Sequence, residues 1–278
     1  MATLLALCSS LSWGTADFLG GQISRRYPAL FVVGVSQAFG LVFMLVVATV
    51  THSWSSAAGY LPWAVLASVS GTIGLALFYR AMAIGAVGVV SPITALGAVG
   101  PVVLGLFSGD APSTWQYVGL LVALIGVVLA SGPELSGEGG VLPVLMAIGA
   151  TVGFGIALCA IALGSETSAV MTMTGMRVVT VTTLTAIGLV ALARGRRQSV
   201  QGARDATFMA SIGVLDVAAN LLFGLAATTG VLSLVSVLGS LYPVVTVLLA
   251  WRLLGERLRP IQYAGVALAL GGVAAIVA

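Results

Sequence analysis

The chain has 278 residues, of which 59% are hydrophobic and only 7% charged. A soluble domain carries about a quarter charged residues, so this composition excludes a water-soluble fold and indicates an integral membrane protein. The net charge of +3 comes entirely from arginine; no lysine occurs, which rules out a Walker-type phosphate loop and an ATPase built on one. His52 is the sole histidine and lies in the short polar segment THSWSS, so neither a histidine metal site nor a Ser-His-Asp triad can be assembled.

A membrane-spanning helix needs about 20 apolar residues. Apolar runs of that length predict spans near 3–23, 28–50, 60–84, 88–107, 114–131, 141–163, 168–193, 207–228, 231–254 and 260–278. The polar breaks between them are too short to hold a soluble domain. Continuous apolar runs do not fit the alternating strands of a barrel, so the predicted class is all-α. Cys8 and Cys159 fall inside apolar runs and read as small packing residues.

Span 1 holds Trp13 and, one turn later, Asp17. An ionisable side chain at membrane depth is costly and by default marks a pathway, and a carboxyl beside an aromatic ring suits a small amphiphilic ligand. Gln37 in span 2 and Thr94 in span 4 are further polar candidates. Tyr79 in span 3 and Tyr242 in span 9 are candidate aromatic walls, whereas Arg80, near the end of span 3, reads as a side chain reaching toward the interface. Pro92, Pro101 and Pro243 are expected to kink spans 4 and 9. Trp54, Trp63 and Trp115 sit near span ends and read as interfacial belt residues.

The second half repeats the first. Gly109-Asp110, Gln116-Tyr117 and Gly119 match Gly255-Glu256, Gln262-Tyr263 and Gly265 at an offset of 146. Leu96-Gly97 and Pro101-Val102-Val103 match Leu238-Gly239 and Pro243-Val244-Val245 at 142, and Trp13-Gly14 matches Phe154-Gly155 at 141. The units read as residues 1–133 and 141–278, joined by a linker at 134–140. Five spans in each unit make the second copy enter the membrane from the opposite side, giving two inverted repeats with a site between them near the midplane. Spans 1, 3, 4, 6, 8 and 9 are expected to line that site, and spans 5 and 10 to lie outside it.

Spans 7 and 8 carry the remaining buried charges. Gly213, Asp216, Asn220 and Gly224 share one face of span 8. Asp216, as an isolated midspan carboxyl, is the expected proton carrier. Arg177 in span 7 can take a substrate carboxylate, neutralise Asp216 or reach an interface. If it pairs with Asp216, proton coupling moves to Asp17 or is absent. By the repeat offset Asp17 corresponds to Leu158, so the site is expected to be lopsided in charge.

The SWG stretch followed by Phe18 in span 1, the 5+5 arrangement and the LLGERLRPIQYAG stretch closing span 9 resemble the EamA-type branch of the drug/metabolite transporter superfamily. The first repeat reads GDAPSTWQYVG at the corresponding place and lacks the arginine after the acid. The resemblance implies a secondary transporter, often an exporter of amino acids or related metabolites, in a cell inner membrane. The expected substrate is a small amino-acid-like or amphiphilic metabolite moved with protons, with a lipophilic-cation exporter as the alternative. A membrane-embedded enzyme on lipid substrates is disfavoured, because no nucleophile, base or metal cluster is in evidence. The expected partners are the substrate and the lipid bilayer, for a monomer or homodimer without cofactor, metal or nucleic acid.

The arginines concentrate in or near the odd-numbered loops, which under the positive-inside rule places both termini outside. The family resemblance implies cytoplasmic termini. The two readings disagree.

Overall fold

In the computed structural model, residues 1–24, 26–84, 90, 93–130, 141–195, 198–254 and 259–277 are described. Arg25, Pro92, Arg196, Arg197, the linker 134–140, and the Gly255-Glu256 pair with Arg257 lie outside the described residues.

All regular structure among the described residues is helical. The helices are α1 (Ala2–Ile23), α2 (Ala29–Val50), α3 (Leu61–Ile84), α4 (Ile93–Phe107) and α5 (Thr114–Ala130) in the first half. The second half holds α6 (141–167), α7 (169–193), α8 (Ala203–Thr229), α9 (Leu232–Gly239), α10 (Tyr242–Leu254) and α11 (Pro260–Val277). Five segments are long and apolar enough to cross a membrane, while α4, α5 and α11 are shorter and apolar. Lipid offers no hydrogen-bond partner to the backbone, so these apolar runs satisfy their N–H and C=O groups internally as helices.

Three local breaks shape the bundle. α6 and α7 form one helical run interrupted at Ser168, whose backbone is extended. The Ser168 hydroxyl accepts the Met171 N–H at 3.2 Å and so caps α7. A methyl group on Gly164 would lie 2.7 Å from Thr172 Cγ2. Eight residues of straight helix would separate these positions by about 12 Å, so the chain turns back here. Ser240 and Leu241 separate α9 from α10, with Pro243 in the first turn of α10, where a proline costs no hydrogen bond. α4 passes through a 3₁₀ turn at Leu96–Ala98.

Packing follows the rule for helices in lipid, with small residues inside and large apolar ones outside. Ala6, Ala48, Ala67, Ala123, Ala150 and Ala160 are fully buried, while Val46, Val69, Ile73, Leu121, Ile125 and Leu189 are exposed. α1 of the first half packs on α8 of the second, and α6 of the second half packs on α3 of the first. Exchanging the halves therefore reproduces the contacts.

The α5–α11 pair shows the exchange residue by residue. A methyl group at Gly119 would lie 2.8 Å from the Gly272 carbonyl oxygen, and one at Gly272 would lie 2.5 Å from the Ala123 nitrogen. Gly126 meets Ala269 and Gly265, and Gly265 meets Ala130. The two helices therefore run antiparallel, each presenting a small-residue stripe that the other's equivalent stripe fills. The Gln116 and Gln262 motif residues complete the arrangement. Gln116 Oε1 accepts the Ser113 N–H at 2.9 Å and Gln262 Oε1 accepts the Arg259 N–H at 2.9 Å, each closing the start of its own helix. The first half also reaches into the second through Asp110, whose Oδ2 accepts the Ser233 N–H at 2.7 Å at the start of α9.

Candidate functional site

A cavity of about 130 Å³ lies inside the bundle. Its described lining comes from α1, α2, α3, α4 and α6 through α10, while α5 and α11 contribute none of it. α2 and α7, which were not among the spans expected to line it, supply Gln37, Met176, Arg177 and Thr180. Their polar residues were judged one at a time in the sequence, and a single glutamine or threonine does not reveal which way its helix faces.

The lining obeys the repeat. Trp13 and Phe154 both line the cavity, as do Asp17 and Leu158, at an offset of 141; Thr94 and Ser236, and Ala98 and Ser240, pair at 142. Leu75 and Asp216 pair at 141. The cavity is thus lined alike by both halves but unevenly charged, since in two of these pairs an acid in one half corresponds to a leucine in the other.

The polar wall is built on α2, α7 and α8. Arg177 Nη2 donates to Asp216 Oδ2 at 2.9 Å, and Nη1 donates to Gln37 Oε1. Gln37 Nε2 donates to the same Asp216 Oδ2 at 3.0 Å. Asn220 Nδ2 donates to the Asp216 backbone carbonyl at 2.7 Å and to Oδ1 at 3.3 Å, from one turn further along α8. The Arg177 side chain is 4% exposed and that of Asp216 26%. Asp216 is therefore ion-paired and hydrogen-bonded on both oxygens. The expectation of an isolated acid there does not hold, and the alternative of a pair with Arg177 does. Beside this cluster the Thr180 hydroxyl bonds to Ser68 at 2.7 Å, tying α7 to α3.

The aromatic wall is built on α1, α8 and α10. The Trp13 ring lies 5.9 Å from Phe223 and 6.3 Å edge-on from Tyr242. The Tyr242 hydroxyl bonds to the Thr94 side chain, which reaches in from α4. Phe78 and Phe154 meet edge to face at 5.9 Å on the other side. Tyr79, expected to line the cavity, does not. Consecutive residues on a helix point about 100° apart, and it is Phe78 that faces in. The Tyr79 hydroxyl instead rests on α1, 3.1 Å from where a methyl on Gly20 would be. Asp17 lines the cavity one turn from Trp13 and has no hydrogen bond or ion pair among the described residues.

The two ends of the bundle differ. Toward the N-terminus of α1, Ala6, Met44, Ala67, Phe223, Ala226 and Val235 belong to one apolar cluster, which also runs along α5 and α11 through Val127, Ala130 and Ala269. Toward the other end the packing divides. One cluster holds Ile23, Tyr27, Val32, Met209 and Ile212; the other holds Phe78, Ala81, Val90, Ala147 and Ala150. The first of these is tied at the surface by Tyr27, which donates to Asp205 Oδ2 at 2.7 Å and accepts the Gln201 N–H at 2.8 Å. Arg26 stands 3.6 Å from Asp205 Oδ1. The Asp205 carboxylate, by accepting the Tyr27 hydroxyl, raises that phenol above its ordinary range, with burial adding to the rise.

Among the described residues no group of His, Cys, Asp and Glu is arranged to hold a metal. No curated protein matches the chain. Among solved structures, one titled "Crystal structure of protein" superposes with a TM-score of 0.78 at 18% identity, over 99% of this chain and 95% of that one, a likeness of fold. The EamA-like transporter family matches the chain twice, over residues 1–132 and 141–278. Two consecutive matches over nearly the whole length, on an apolar helical bundle, show that this membrane protein belongs to the EamA-like transporter family of the drug/metabolite superfamily.

Proposed function

We propose that the chain is a secondary transporter, an exporter of a small amphiphilic metabolite across a cell inner membrane, working by alternating access. Ten spans in two inverted five-helix repeats form the bundle, with the cavity between them. The antiparallel meeting of equivalent residues in α5 and α11 supports the inverted relation, because an axis along the membrane normal would leave equivalent helices parallel. The observation that carries the reading is the cavity itself: both halves line it with residues at equivalent positions of the repeat, and two separate apolar clusters flank it toward the C-terminal end of α1.

Proton coupling falls to Asp17. Asp216 is committed to Arg177, Gln37 and Asn220, whereas Asp17 faces the cavity without a protein partner among the described residues. A carboxyl that must bind and release a proton in each cycle needs to be reachable and uncommitted. The test is an uptake and efflux screen of metabolites in proteoliposomes under an imposed pH gradient. Wild-type protein should drive net movement of at least one amphiphilic metabolite. Asp17→Asn should abolish the gradient-driven component while leaving substrate exchange in part. Gradient-driven transport unchanged in that variant would remove Asp17 as the proton carrier.

A further inference from the structure

The cavity is lined by two carboxyls, Asp17 and Asp216, and one guanidinium, Arg177, and Arg177 and Asp216 are occupied with each other. Arg177 commits one Nη to Gln37 and the other to Asp216, and its Nε is buried away from any acceptor among the described residues. An arginine takes a carboxylate through two parallel N–H groups. Here the head is 4% exposed, and a substrate carboxylate would have to displace Asp216 to reach it. Asp216 in turn accepts from Arg177 and Gln37 on Oδ2 and from Asn220 on Oδ1. The pair cancels in charge, and both Arg177 Nη groups and both Asp216 oxygens are engaged within the wall.

What remains is one carboxylate beside aromatic rings. Asp17 shares a face of α1 with Trp13. Trp13 is flanked by Phe223 and Tyr242, all four residues lining the same cavity. An organic cation gains from an acid and from the negative faces of aromatic rings within about 6 Å. An anion gains from neither.

We propose that the cavity takes a monovalent organic cation, an amine or quaternary ammonium on an aromatic-sized apolar body. The nitrogen lies against Asp17 and the body among Trp13, Phe223 and Tyr242. Arg177 serves as the internal counter-ion of Asp216 and not as a substrate ligand. The assignment rests on the transporter reading above for the use of the cavity, and it names that reading's substrate class.

The test is direct binding to the purified full chain in lipid nanodiscs, with three probes of one size: benzyltrimethylammonium, phenylpropanoate and phenylalanine. Benzyltrimethylammonium should bind at least about tenfold more tightly than either carboxylate-bearing probe. Asp17→Asn should weaken it by about tenfold or more, and Asp17→Glu should restore most of the loss, with thermal unfolding of each sample confirming a folded protein. Should Asp17→Asn fail to fold, Trp13→Leu supplies the second reading. It should weaken the cation more than it weakens neutral tert-butylbenzene, since the ring's face acts on charge. The proposal is overturned by tighter binding of phenylpropanoate or phenylalanine, by cation affinity within threefold of wild type in folded Asp17→Asn, or by no binding of any probe. A cation that binds through Asp17 yet is never moved in proteoliposomes upholds the assignment and removes the transporter reading instead.

Discussion

Gln116 and Gln262 each reach across to the end of the other's helix. Gln116 Nε2 donates to the Ile276 carbonyl at 3.4 Å, and Gln262 Nε2 donates to the Ala130 carbonyl at 3.3 Å. Both carbonyls belong to last turns, whose acceptors lack partners within their own helix. Gln116→Ala and Gln262→Ala should each cost about 1 kcal/mol, nearly additively, because the two bonds lie at opposite ends of the pair. Gly126→Leu should cost far more, since its side chain would be driven into the Ala269 backbone. Unfolding midpoints in detergent check both. A Gly126→Leu protein as stable as wild type would contradict the antiparallel contact.

Removing Asp216 leaves Arg177 charged and buried, whereas removing Arg177 leaves Asp216 charged and partly exposed to the cavity. Asp216→Leu alone should destabilise the protein by about 3–5 kcal/mol, and Arg177→Met alone by less, because Asp216 can be hydrated from the cavity. The double variant should recover most of the loss, since two apolar side chains leave no stranded charge. A denaturant titration of the four proteins gives the coupling. Additive losses would mean the two side chains act independently.

The Tyr27 hydroxyl binds its proton more tightly when folded than when unfolded, because Asp205 accepts it. A group with a raised folded-state pKa contributes stability that is present at lower pH and lost as pH rises through that pKa. The unfolding midpoint should therefore fall as pH climbs above about 10, the ordinary phenol value. Tyr27→Phe should lower the midpoint at neutral pH and flatten this alkaline slope. Thermal scans from pH 7 to about 11 decide it, and an equally steep slope in Tyr27→Phe would assign the effect to another group.

Much of the fold was readable because membrane depth imposes a length on each apolar run and a repeat imposes an offset. The Gln116 and Gln262 motif was visible as a repeat, but its work as a reciprocal clasp needed the three-dimensional register. The site was read less completely. Asp216 and Arg177 stood out as rare charges, yet a sequence spacing of 39 does not reveal that they touch. Phe78 was passed over for its neighbour Tyr79, because adjacent helical residues differ only in direction. Ser236 is the exception that was within reach: the 142 offset leads to it directly from Thr94.

Water should reach the cavity from the end where the packing splits into two clusters. In a Cys8→Ala, Cys159→Ala background, Thr72→Cys lines the cavity and should react with a membrane-impermeant thiol reagent, while Ala6→Cys sits in the apolar cluster and should not. Labelling from each side of sealed vesicles also fixes which face the split end occupies. Equal protection of both positions would contradict an accessible cavity.

The bond between Gln37 and Arg177 bears on the order in which the protein is made. Gln37 leaves the ribosome 140 residues before Arg177, and Asp216 follows 39 residues after it. At about 5–20 residues per second, the arginine waits several seconds for its carboxylate. When Arg177 leaves the ribosome, the amide oxygen of Gln37 is a partner already in place. Gln37→Leu should slow membrane insertion of α7 even where the finished protein, with Asp216 present, is stable. The glutamine that completes the polar wall is also, on this timetable, what the arginine meets first.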